Sequence, residues 1–291
     1  MSKWLWQRIA GGEAETLVRE LGIAALPVCP FSIAEELGIE VQALPADSRS
    51  GVSGMLLRQR NLFGILYSTS IDSDGFQRFS VGHEIGHYRL PGHPECVLQD
   101  GAHASHAGFR SKDRYELEAD HFAAALLMPS TLFDAELRKA GDGIAAIEHL
   151  AGECQTSLTA TAIRFAQRSP DAAAIVVSSG KQVEYCFMSD TLKEADGLDW
   201  IRKGSLLPPN SATKELNADP RNVLDGERME AEGAIQDWFG GDIDAMLIEE
   251  TIGLGDYGKT LTVLTVNDLP DAEEIEEEEE MEESWTPRFK R

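Results

Sequence analysis

The four cysteines, Cys29, Cys96, Cys154 and Cys186, lie far apart and include no C-x-x-C pair. That excludes a zinc ribbon and a disulfide framework, and leaves buried or free thiols. No apolar run approaches the length of a membrane-spanning helix. The opening stretch MSKWLWQRIAGGEAETL is too briefly apolar, and too soon acidic, for a signal peptide. The expectation is a cytoplasmic protein with no membrane partner. Basic charge is scarce: 26 Lys and Arg stand against 50 Asp and Glu, for a net charge of −24. A chain this acidic repels phosphate backbones, so nucleic acid is not the expected partner, whereas a basic protein surface is allowed. Ten of the thirteen residues Asp271–Glu283 are acidic, and without them the net charge is about −14. This low-complexity tail, residues 269–291, is expected to be disordered. Internal repeats are absent. So is a phosphate-binding loop: GLGDYGKT (Gly253–Thr260) lacks the strand–loop–helix context, because a strand pattern follows Lys259, and reads as a turn.

At 291 residues the chain can bury a sizeable core and is long enough for two domains. EAETLVRELG has helical periodicity, with Leu17, Val18 and Leu21 on one side. Ser32 is placed to cap a short helix that stops at Gly38, after which IEVQALP reads as a strand. GVSGMLLRQRNLFGILYSTS reads as a hairpin turning around RQRN. A helix is expected from about Gln77 to Arg89, then a polar loop from Gly92 to Lys112, then a helix through DRYELEADHFAAALLMP closed by Pro129. Two or three further helices follow. Beyond Pro170, AAAIVVSSGKQVEYCFMS alternates like a hairpin, Gly204–Asn222 reads as loop, and TLTVLTVND reads as a strand. The Trp238–Phe239 pair is expected in core or interdomain packing.

The chemistry lies in FSVGHEIGHYRLPGH, which sets His83, Glu84 and His87 in an H-E-x-x-H pattern. Residues four apart on a helix differ by about 40° in direction and ~6 Å in height, so His83 and His87 share a face and can bind one ion. Glu84 lies about 100° round, beside the ion, where its carboxylate can take a proton from water. That is the division of labour in zinc-dependent peptide hydrolysis.

A third ligand is offered by YELEADHF, which holds Glu116, Glu118 and Asp120. Glu116 and Asp120 are four apart and share a face; Glu118 is about 200° from Glu116. One carboxylate on the ion and a second acid holding a histidine N–H is a common arrangement. Glu116 and Asp120 fit those roles in that order, which leaves Glu118 as a surface or ion-pair residue.

FSVGHEIGHYRL followed by YELEADHFAAALLMP resembles the ImmA/IrrE family of gluzincin-type metallopeptidases. The likeness lies in the H-E-x-G-H helix, the E-x-x-A-D-x-F-A-x-x-L-L-M-P helix about thirty residues later, and the lead-in IAEELGIEVQALP. It spans roughly residues 15 to 135. The resemblance implies an α+β, zincin-like domain with His83, His87 and Glu116 on one zinc ion and Glu84 as general base. Manganese or another divalent ion is allowed by the same donors. It further implies a substrate class, helix-turn-helix repressors, whose inactivation switches on mobile-element or stress-response genes.

A donor to the transition-state oxyanion is also expected. Tyr88, His103, His106, Tyr115 and His121 qualify by type, with His103 and His106, between the ligand helices, better placed than the rest. The competing reading is a pair of surface histidines. His93 and His149 receive no role. IAAIEHLAGECQTSLTATAIRFAQR has the outline of a helix-turn-helix, but Arg164 and Arg168 alone supply positive charge in its second helix, which favours a packing unit over a DNA reader. The expected organisation is a metallopeptidase domain over 1–135, a helical segment over 136–169, a smaller α+β domain over 170–268, and the acidic tail. The expected activity is a metal-dependent endopeptidase acting on a protein partner. The alternative is a non-proteolytic regulatory or sensory adaptor that binds its partner through the same fold; an intact Glu84 favours the enzyme.

Overall fold

The computed structural model describes residues 3–44, 51–106, 113–195 and 197–269. The acidic run Asp271–Glu283 lies outside the described residues. The chain is mixed α+β, with two sheets and two compact units. The first comprises Met1–Gly141 and Ile147–Thr161, the second Asp142–Ala146 and Ala162–Arg291. Residues of the 136–169 helical segment are thus divided between the two.

The first unit opens with α1, Lys3–Glu20, which buries Ala10, Ala14, Leu17 and Val18 along one stripe. Helix α2, Pro30–Glu36, starts before the expected cap at Ser32: Cys29 is the N-cap, and Pro30 fills a first-turn position where its missing N–H costs nothing. Four strands follow with interruptions: β1 (Ile39–Leu44), β2 (Val52–Gln59), β3 (Leu62–Ser68) and β4 (Ala102–His106), in the sheet order β1-β3-β2-β4. β2 and β3 form the expected hairpin, turning at Arg60 (φ 57°). β1 joins β3 in parallel and β4 joins β2 antiparallel.

The polar segment expected as continuous loop from Gly92 to Lys112 instead holds α4 (His93–Val97) and β4; residues 107–112 lie outside the described ones. AHASH has no apolar alternation to announce a strand. It pairs because β2 presents a free edge of backbone donors and acceptors.

Helix α3, Asp74–Arg89, begins a turn earlier than expected because the Ser73 hydroxyl accepts from Phe76 N at 3.4 Å. It ends at Leu90, ahead of Pro91. Helix α5, Arg114–Leu127, is capped by Asp113, which accepts from Tyr115 N at 2.8 Å, and stops before Pro129. α3 lies on β2 and β3 and packs along α5, and α1 covers α5. Val81, Ile85, Leu56, Ile65, Phe122 and Leu126 fill the core between them. The α3–α5 approach depends on Gly86: a Cβ there would lie 3.1 Å from Phe122 Cδ1 and 3.2 Å from the Ala119 Cα. Helices α6 (Ser130–Ala140), α7 (Gly143–Cys154) and α8 (Leu158–Arg168) follow in sequence.

The second unit is built on an antiparallel five-stranded sheet, order β6-β5-β9-β8-β7. Its strands are β5 (Ala172–Ser179), β6 (Gln182–Met188), β7 (Arg228–Ala234), β8 (Met246–Gly253) and β9 (Thr260–Val266). β5/β6 is the expected hairpin and β9 the expected last strand; the turn before β9 is a short 3-10 helix, Gly255–Tyr257. β7 and β8 carry glutamates that hide their strand character. In β8, Glu249 is buried, and one carboxylate oxygen accepts from the backbone N and hydroxyl of Thr213, the other from Trp238 Nε1. Single-turn helices α9 (Asp190–Glu194), α10 (Ala212–Leu216), α11 (Pro220–Leu224) and α12 (Ile235–Phe239) fill the connections. Two of them interrupt the stretch expected as loop, α10 capped by Ser211 and α11 by Asp219. Phe239 and Trp238 pack into this unit's own core.

Candidate metal centre

α3 carries His83, Glu84 and His87 at its buried middle, and all three side chains are shut off from solvent. α5 lays Glu116 across from the two imidazoles. Glu116 Oε1 is 3.2 Å from His87 Nε2, and its Oε2 is 3.6 Å from His83 Nε2. The two Nε2 atoms are 3.0 Å apart. One ligand atom from each of His83, His87 and Glu116 falls within 4.8 Å of the others. Two imidazole nitrogens and a carboxylate oxygen converging on one point are a donor set compatible with a divalent ion. On its other edge, His83 Nδ1 is 2.9 Å from Asp120 Oδ1.

Glu84 occupies a different position. Its carboxylate is fully buried, and neither oxygen has a hydrogen-bond partner among the described residues. Such a group is costly in a finished core and is expected where it awaits another molecule. It leans on β2 at Gly54, where a Cβ would come within 2.6 Å of Oε1. Ser105, opposite Gly54 in the β2–β4 register, also has a buried hydroxyl without a partner among the described residues. An acceptor pair and a hydroxyl left unpaired beside the donor triad fit an ion and its water.

Residues 34–166 match the family model described as the IrrE N-terminal-like domain, a peptidase family. These residues thus carry an IrrE N-terminal-like domain. None of the curated proteins matches the chain. Among solved structures, a Mycobacterium tuberculosis transcriptional regulator is similar in fold, with a TM-score of 0.56 at 13% identity over 88% of this chain and 76% of that one. The first unit therefore carries a zincin-like, metallopeptidase-like domain, and α3 and α5 both lie within the matched residues.

The electrostatics of the IrrE-like site follow from burial and pairing. Burial alone would lower His83, but its bonds to Asp120 and Glu116 outweigh that and push it up to about 10. Burial lowers His87 to about 3, against the pull of Glu116. Burial works to raise Glu116, yet His103, His83 and His87 together hold it far below the usual carboxylate range. Burial raises Glu84 to about 7, with the nearby charges of His83 and His103 drawing it the other way. A carboxylate near 7 is well matched to exchanging protons at neutral pH.

Of the histidines offered as oxyanion donors, His103 stands at the site: its Nε2 is 2.8 Å from Glu116 Oε1, and its ring is 4.6 Å from that of His87. His106, at the end of β4, is exposed. Tyr88 packs edge-on against Phe63 in the core, at 4.9 Å, and Tyr115 donates its hydroxyl to Cys96 Sγ. Glu118, expected as a surface or ion-pair residue, is buried and ion-paired, its Oε1 2.7 Å from Arg114 Nε, and His93, which receives no role from its sequence context, is fully buried behind His87. Their pairing, His93 Nε2 to Glu118 Oε2 at 2.9 Å, crosses from α4 to α5 and leaves no trace in either helix's own spacing.

Proposed function

We propose that the protein is a zinc-dependent endopeptidase that cuts a protein partner, a helix-turn-helix transcriptional repressor, to release genes the repressor holds off. The observation that carries this reading is the buried Glu84 carboxylate, without a hydrogen-bond partner among the described residues, beside the His83–His87–Glu116 triad. His83, His87 and Glu116 would hold one zinc ion, with Asp120 fixing His83. A bound zinc ion supplies a Lewis acid that acidifies water and polarises the scissile carbonyl.

Glu84 accepts the proton of the attacking water and returns it to the leaving amine. Burial serves this role by raising the carboxyl to about 7, so that it both takes and gives a proton near neutrality. His103 steadies Glu116 and is the one of the two better-placed oxyanion candidates that stands at the site. Residue types at H-E-x-x-H positions alone serve binding and catalysis equally; a general base serves only catalysis. The repressor substrate rests on the family likeness, and the similarity in fold to a transcriptional regulator is in keeping with a regulatory setting. Among the described residues no helix is long and apolar enough to cross a membrane.

The experiment is co-expression of the wild type or Glu84→Gln with candidate repressors, those encoded beside the protein first. One defined cleavage by wild type and none by Glu84→Gln is expected. Stable capture of a repressor without cleavage by either would replace the peptidase with the non-proteolytic adaptor.

A further inference from the structure

Behind the triad, the two histidines are supported differently. His83 Nδ1 meets a carboxylate directly. His87 Nδ1 meets another imidazole, the Nδ1 of His93, at 3.2 Å. His93 in turn places Nε2 2.9 Å from Glu118 Oε2, and Arg114 Nε donates to Glu118 Oε1 at 2.7 Å. Arg114 is itself steadied over the Trp6 ring, at 4.8 Å. The His93 ring is fully buried and stands edge-on to Tyr115, with centroids 4.9 Å apart. Four side chains from α3, α4 and α5 thus form one line ending on His87.

The hydrogen bonds in this line admit one arrangement of protons if His87 is to ligate through Nε2. Glu118, bonded by Arg114, accepts and does not donate, so the His93 Nε2 carries the hydrogen between those two residues. Only one hydrogen fits between the two Nδ1 atoms. Were it on His93, His87 would accept at Nδ1 and carry its own hydrogen on Nε2, the atom that faces Glu116. With the hydrogen on His87 Nδ1, His87 Nε2 presents its lone pair to the ion.

We propose that His93 is a positioning residue that fixes the tautomer and ring orientation of His87, with Glu118 and Arg114 fixing the tautomer of His93. Resting on the metal reading above, this gives each ligand histidine an acid behind it, Asp120 directly for His83 and Glu118 through one imidazole for His87. Partners of this kind typically account for about 10–100-fold in metal affinity.

The test is a chelator competition titration with zinc on wild type, His93→Phe and His93→Gln, with circular dichroism of each. His93→Phe keeps a ring against Tyr115 and loses both nitrogens; about 10–100-fold weaker zinc binding is expected. His93→Gln loses the ring, but its carbonyl can accept from His87 and its amide can donate to Glu118, so it recovers most of that loss. A role in packing alone gives the opposite order. Long-range proton–nitrogen spectra of the zinc-loaded wild type should show hydrogen on His93 Nε2 and His87 Nδ1, and hydrogen on His93 Nδ1 overturns the proposal. If His93→Phe does not fold, Glu118→Gln serves, since Arg114 and His93 bond different carboxylate oxygens and Gln replaces one of these with an NH2 group that cannot accept. It should bind zinc several-fold more weakly, and unchanged affinity overturns the proposal. Wild type that binds no zinc sinks the metal reading and this inference with it. Wild type that binds zinc, with His93→Phe equally tight, sinks the inference alone.

Discussion

Gly54 on β2 and Glu84 on α3 touch so closely that no side chain fits between them: a Cβ on Gly54 would stand 2.6 Å from Glu84 Oε1, 3.1 Å from its Cγ and 3.3 Å from its Cδ. The sheet thus sets how far the carboxylate swings. Gly54→Ala must displace the Glu84 head, and because the site is buried the head has little room to return. A misplacement of about 1 Å can cost on the order of 100-fold in rate. The expected outcome is a fall in turnover of that order with zinc stoichiometry unchanged, read by cleavage assay and metal analysis on the same preparation. Wild-type turnover in Gly54→Ala would show that the carboxylate position is not set here.

Glu84→Gln should abolish proteolysis while keeping fold and metal. The amide is nearly isosteric but cannot accept the proton. His83→Ala and His87→Ala should lose the metal instead. Cleavage at the wild-type rate by Glu84→Gln would remove Glu84 as the base.

Glu116→Gln should weaken zinc binding severely. Asp120→Asn should cost an intermediate ~10–100-fold, since Asp120 Oδ1 is 2.9 Å from His83 Nδ1 and would act on a bound ion through that ring. Competition with a chelator ranks the two. Equal affinities for Asp120→Asn and wild type would deny Asp120 that part.

The metal-free protein should respond to pH through Glu84. Its carboxyl is raised from 4.5 to about 7 in the folded state. Below pH ~4.5 both states hold the proton and there is no penalty. As pH rises through the window from 4.5 to 7, the unfolded chain releases the proton while the folded chain keeps it, so stability falls, and above ~7 the loss is complete. Glu84→Gln removes this loss, so it should match wild type near pH 4 and exceed it by roughly 3 kcal/mol at pH 8. Urea unfolding at both pH values checks this, and a difference independent of pH would contradict it.

Metal analysis of protein purified without a histidine tag should find one divalent ion per chain after zinc reconstitution. A stoichiometry near zero would end the metal reading.

Helical arithmetic by itself put His83 beside His87 and Glu116 beside Asp120, because periodicity within one helix fixes which residues share a face. It also marked the hairpin β2/β3 and the strand after Lys259, where alternation and turn residues act over a few neighbours. What it could not fix were relations between elements. β4 exists because β2 has an edge to fill, not because AHASH favours a strand. Glu118 lies inward because α5 packs with that side toward α4, and burial brings it His93 and Arg114 as partners. Glu249 is buried in β8 because Thr213 and Trp238, distant in sequence, supply its donors. The sequence determined the residues that could form the centre and the faces they occupy. The tertiary structure decided which of them meet, since contact across elements depends on packing distances, such as the Gly86 approach of α3 to α5, that no local spacing encodes.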